Sequence, residues 1–180
     1  MPLLEAAPDA RIVTVGSFAA KSEHLDLDDL QTRTDYRAKR TYARSKLAQM
    51  YCRARVDRRL RAAGSTVSSM VVHPGGALNA LTPSRPPVHV RQAGAALRAA
   101  PAALLLQGKH AGARPAVRAV LDPRIAGGEL WGPRIFGLRG RPAPRAAVGA
   151  AGGPRSSTSP VGCEREADRC LTGVAPAAGR

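Results

Sequence analysis

Residues 41–76, TYARSKLAQMYCRARVDRRLRAAGSTVSSMVVHPGG, decide the fold. Leu47, Met50, Tyr51, Ala54 and Leu60 recur at close to helical spacing, which predicts a helix of more than five turns from about Arg40. Gly64 is placed to end it, because glycine adopts the left-handed closing conformation without a Cβ penalty. A β-branched run follows at once, Thr66–Val72, and stops at the breaker pair Pro74-Gly75. Upstream, Arg11–Ser17 (RIVTVGS) is a second β-branched run, ending at a loop-forming Gly-Ser. Strand, long helix, short loop, strand is the grammar of a parallel sheet, so the chain is predicted to be α/β.

The rest of the chain fits around this unit. Glu23–Tyr36 has no sustained period and reads as a loop with at most one helical turn. Val90–Leu106 reads as a helix interrupted near Pro101, Ala111–Leu121 as a shorter helix, and Gly127–Gly137 as a last edge strand. Beyond about Arg139 the text is rich in Gly, Pro, Ser and Ala without periodicity. Residues 1–141 are therefore assigned to one globular unit and residues 142–180 to a disordered tail.

Composition narrows the function. The 180 residues carry a formal charge of +15 but only 3% aromatic residues. Charge of that size raises nucleic acid or an anionic membrane as partners. Its distribution counts against nucleic acid: ten Lys or Arg face one acid between Arg37 and Arg61, while Glu23–Asp35 holds five acids and one base. Aromatic platforms for single strands are missing. Cys52, Cys163 and Cys170 are too few and too scattered for a disulfide framework or a zinc site. The opening residues lack a signal-peptide pattern, and Ala93–Leu106 is broken by Arg98 and Pro101 and too short to span a bilayer. The reading is a soluble cytoplasmic protein with no metal and no membrane span.

Tyr42 and Lys46 stand one helical turn apart on one face. An ammonium held near a phenol favours the phenolate, which suits a tyrosine to proton transfer. Alone, the YxxxK spacing fits a solvated basic helix as well. Ordered with Ser17 before it and His73-Pro74-Gly75 after it, it resembles the short-chain dehydrogenase/reductase family, in particular its retinol-dehydrogenase-like bacterial members. The resemblance extends through GARPAVRAVLDPRIAGGELWGP and covers about Leu3–Arg141.

The resemblance implies the C-terminal half of a Rossmann-type, doubly wound parallel sheet and hydride transfer between NAD or NADP and a carbonyl/alcohol substrate. It implies Ser17, Tyr42 and Lys46 as catalytic residues: Ser17 bonds the substrate oxygen, Tyr42 moves its proton, and Lys46 holds the ribose hydroxyls. Tyr42, Lys46, Pro74, Gly75 and Asn79 would contact the cofactor, Asn79 standing where the family commonly has threonine. His73 fits the pattern as a structural residue, and Thr82–Leu106 lies where the family builds its substrate lid.

Two departures stand out. Gly16-Ser17 replaces the family's Ser-Ser pair. No strand, Gly-rich turn and helix precede Ser17, so the pyrophosphate cradle, the residue that selects NAD or NADP and the family's active-site asparagine are missing. The expectation is a truncated dehydrogenase with impaired cofactor binding. Half a parallel sheet would expose an edge and an apolar face, which predicts self-association. The competing expectation is a non-catalytic module that pairs through that edge.

Overall fold

The computed structural model of the chain describes residues 2–146, except 27 and 91. After a short N-terminal helix α1 (Pro2–Glu5), β1 (Arg11–Val15) leads into a 3-10 turn (Phe18–Ser22) and a loop to α2 (Ala38–Ala62). Then follow β2 (Ser68–Val72), β3 (Ala77–Leu78), a 3-10 turn (Asn79–Leu81), α3 (Ala95–Arg98), a 3-10 turn (Pro101–Leu104) and β4 (Gln107–Gly108). The described part closes with α4 (Lys109–Gly112), α5 (Arg114–Leu121), β5 (Leu130–Ile135) and β6 (Arg139–Arg145). The main sheet has the order β1-β2-β5-β6, and β3 pairs with β4 in a small parallel ribbon.

The expected α/β architecture is what the chain forms. β1, β2 and β5 are parallel, with Val13 opposite Met70 and Val72 opposite Trp131. Alternation of side chains along a strand separates the two faces. On one face Val71 and Leu130 pack with Leu47 and Met50 of α2; on the other Met70, Val72 and Trp131 pack with Ala119 of α5. β2 is therefore covered on both sides, as its apolar sequence requires. Met70 and Val72 are each 1% exposed, and burying such side chains contributes about 1.5–3 kcal/mol apiece.

The ends of α2 follow from local chemistry. Its 25 residues make a rod of roughly 37 Å at 1.5 Å per residue. Gly64, at φ +66°, ends it as expected, and Ser65 N–H donates back to Leu60 O at 2.9 Å. Near its start, Arg40 and Arg44 reach Glu23 at 3.4 and 3.7 Å, while Arg37 and Arg40 reach Asp35 at 3.1 Å. The acid-rich loop and the base-rich helix, separate in sequence, thus neutralise each other in space, and Arg44 is buried rather than part of a solvated face.

Three expectations about elements change. The stretch expected as a last edge strand holds β5, which lies inside the sheet, because the hairpin to β6 adds an antiparallel strand outside it. β6 runs through Arg145, so the strand overlaps the first residues of the expected tail; residues 147–180 lie outside the described residues. The helix expected over 90–106 is reduced to α3 and a 3-10 turn, since Gly94 stands at φ +70° before α3 and Pro101 opens the turn. No helix among the described residues is long and apolar enough to cross a membrane.

Candidate active site

Parallel strands place their C-terminal ends together, and in open α/β sheets that rim is where ligands bind. Val15 and Val72 are register partners at the ends of β1 and β2. Ser17 and Pro74 each follow two residues later, so the sheet itself sets the serine and the Pro-Gly turn side by side. Gly16 continues the ladder, its N–H donating to Val72 O at 2.7 Å.

Ser17 is partly buried and caps the 3-10 turn, its Oγ accepting from Ala19 N–H at 3.2 Å. That bond uses an oxygen lone pair and leaves the hydroxyl proton to donate. Gly16 answers one departure from the family pattern: a Cβ there would sit 2.9 Å from Met50 Sδ and 3.3 Å from Val71 Cγ1. Met50 of α2 fills the space a side chain would take.

α2 brings Lys46 to the same rim. Lys46 Nζ donates to Val15 O at 3.0 Å and to Gln49 Oε1 at 3.1 Å. This ties the helix to the end of β1, two residues before Ser17. An ammonium has three protons, and these two bonds leave one for a ligand. Tyr42, one turn earlier, is 49% exposed, so its phenol is open to solvent or substrate. Gln49 was not anticipated; its position one turn beyond Lys46 is the only signal the sequence offered.

The end of β2 is built differently. His73 is 2% exposed, wedged between Gly132 of β5 and the Phe18 ring, whose centroid lies 6.4 Å from its own. Burial, aided by the nearby positive charges of Lys21 and Arg145, pushes its pKa down to about 4, so the ring is neutral at pH 7. Both ring nitrogens are shielded and lack hydrogen-bond partners among the described residues. Gly75 has φ +72°, and its absent Cβ makes room for Leu138 and for Pro133 Cγ at 2.8 Å. The glycine here serves the protein's own β5–β6 hairpin. Buried Gln107 secures the turn, donating from Nε2 to Pro74 O and accepting at Oε1 from Gly140 N–H, each at 3.0 Å.

Asn79 is exposed and stands beyond the turn, on a groove of about 390 Å³ that Ala80, His89, Val90, Gln92 and Ala95 also line. His89 Nε2 is shielded there without a hydrogen-bond partner. Sequence reading assigned His89 nothing, since a single histidine between valines carries no pattern.

An NAD-type dinucleotide can be tested against these groups. The spare Lys46 proton and the open Tyr42 phenol suit the ribose and nicotinamide end. For the pyrophosphate end, the described residues hold no glycine-rich turn from a strand into a helix; Pro74-Gly75-Gly76 leads into β3. Among them there is also no group of side chains that would hold a metal ion.

No family model matches the chain. Over 66 residues it is 42% identical to the human polyprenol dehydrogenase, a match spanning 37% of this chain and 20% of that protein. The crystal structure of an uncharacterised protein from Mycobacterium paratuberculosis superposes with a TM-score of 0.58 at 27% identity, over 92% of this chain and 51% of that one. The chain thus spans about half the length of its structural relative, and far less of the human enzyme.

Proposed function

We propose that the chain carries the catalytic residues of an oxidoreductase of the short-chain dehydrogenase type, acting on a carbonyl/alcohol pair with NAD or NADP. The observation behind this reading is the anchoring of Lys46 on Val15 O, which fixes the first turns of α2 beside Ser17. A chance YxxxK on a solvated helix has no reason to be tied to the strand end that bears the serine. Similarity to a dehydrogenase is the independent support.

In the reducing direction, a bound nicotinamide supplies hydride to the carbonyl carbon. The Ser17 hydroxyl donates to the carbonyl oxygen and orients it. The Tyr42 phenol gives that oxygen its proton and regains one from solvent through its open side. Lys46 holds a ribose hydroxyl with its third proton and lies close to the negative charge left on Tyr42. Pro74 and Gly75 form the floor of the nicotinamide end, with Asn79 at its margin. The related enzyme's name makes a long-chain isoprenoid alcohol or its aldehyde the first substrate to try.

Assays with NADH and NADPH against aliphatic and isoprenoid aldehydes test the reading. Tyr42→Phe is expected to abolish turnover while the circular dichroism spectrum stays unchanged; full activity in this variant would refute it. Because the described residues offer one end of a dinucleotide site, fluorescence titration is expected to show weak NADH and NADPH binding. Micromolar affinity would overturn that part.

A second reading follows from β1, whose outer edge is unpaired among the described residues and whose Val15 is 47% exposed. Such an edge suits pairing with another strand. A non-catalytic module would lose association on Val13→Lys and be indifferent to Tyr42→Phe; the enzyme reading expects the reverse for turnover.

A further inference from the structure

The stretch between the 3-10 turn Asn79–Leu81 and β4 holds only short elements, α3 and a 3-10 turn. Val88, Val90, Leu97, Leu104 and Leu105 project from it, from 53% to 82% exposed. Exposed aliphatics on a fraying segment would carry no meaning, but this segment is held. Arg85 and His89 exchange backbone hydrogen bonds at 2.7 and 3.0 Å, Arg139 donates to Ala103 O and Leu104 O, and Leu106 packs on Gly76. Its backbone is fixed while its largest apolar side chains face outward.

Charge singles out the same surface. From Thr82 through Leu106 the sequence has three arginines, Arg85, Arg91 and Arg98, and no Asp or Glu. Aliphatic side chains flanked by arginines, without acids, match a surface that is apolar a few ångströms down and negatively charged at its face.

We propose that the 82–106 excursion is a docking surface for an anionic lipid bilayer, with Val88, Val90, Leu97, Leu104 and Leu105 entering the acyl boundary and Arg85 and Arg98 meeting headgroup phosphates. The same excursion supplies His89, Val90, Gln92 and Ala95 to the groove beside Asn79, so docking would turn the groove's mouth toward the bilayer. That second step rests on the proposed dehydrogenase reading, which would then draw an apolar alcohol or aldehyde from the membrane; docking itself needs no turnover.

Vesicle flotation of the full chain tests it without cofactor or substrate. Partitioning is expected into vesicles containing 30% phosphatidylglycerol, roughly tenfold or more above pure phosphatidylcholine, and weakening as salt rises. The double variant Leu97→Glu/Leu104→Glu and, separately, Arg85→Glu/Arg98→Glu should each lower partitioning about tenfold with circular dichroism unchanged. Lys39→Glu/Arg58→Glu, which removes exposed α2 charges remote in sequence from the excursion, should lower it less than twofold. Absence of partitioning, indifference to the leucine substitutions, or an equal loss in the α2 variant would overturn the proposal, the last by showing adsorption through net charge alone. Docking with an inactive Tyr42→Phe protein separates the two readings: it should be unaffected.

Discussion

β1 and β2 lie side by side and end in register, yet their C-terminal ends are built to opposite specifications. The β1 end is polar and open: Ser17 caps a turn with a proton to spare, and Lys46 is moored on Val15 with another. The β2 end is dry and tight: His73 is buried between Gly132 and Phe18, and Gly75 leaves no room for a Cβ beneath Leu138. The difference teaches a division of labour. One end holds groups that can trade protons, and the other fixes the plane on which they stand, so substitutions at the two ends should fail in different currencies.

The largest effect is expected at the tight end. Gly132→Val would thrust a branched side chain into the His73 ring, and overpacking of this kind costs about 3 kcal/mol or more; urea denaturation should show a sharply lowered midpoint. The next effect comes from His73 itself. Its folded pKa, about 4, lies below the unfolded value of 6.5. Between these values the unfolded chain binds a proton that the folded chain refuses. Stability is therefore full above pH 6.5 and falls on acidification toward pH 4, by on the order of 3 kcal/mol. Denaturation midpoints at pH 7.5 and 4.5 would reveal the slope, and His73→Phe should flatten it.

Smaller still is Gln107→Ala, which strands Pro74 O and Gly140 N–H at about 1–3 kcal/mol and should speed amide exchange at Gly75 and Gly140. Tyr42→Phe and Lys46→Met close the series. Each should move stability by less than about 1 kcal/mol while turnover is lost. If they unfold the chain instead, or if Gly132→Val leaves it intact, the division between the two ends fails.

The legible parts of the molecule were those whose signals are local. The β-branched runs, the helical spacing of Leu47, Met50 and Leu60, and Gly64 announced β1, α2 and β2 with small boundary errors. Ser17, Tyr42 and Lys46 could be singled out as candidates because they sit at fixed offsets from those elements. What escaped depends on distant partners. Gln107 reaches residues 33 positions away in either direction, so nothing near it in sequence marks it. β6 was taken for the start of an irregular tail because RGRPAPR carries two prolines and three arginines. Both prolines can stand in a strand that, among the described residues, forms the outer edge of the sheet, where their missing N–H is not needed. The helix over 90–106 failed for the opposite reason: alanine and leucine favour it, but glycine and proline divide the stretch into pieces too short to persist.

The contact between Gly16 and Met50 reaches beyond this one chain. A side chain at position 16 and the thioether at position 50 compete for the same space, so a larger residue at 16 needs Met50 to shift or shrink. Across relatives of this sequence the two positions are therefore expected to vary together, a side chain at 16 accompanying a smaller or displaced residue at 50.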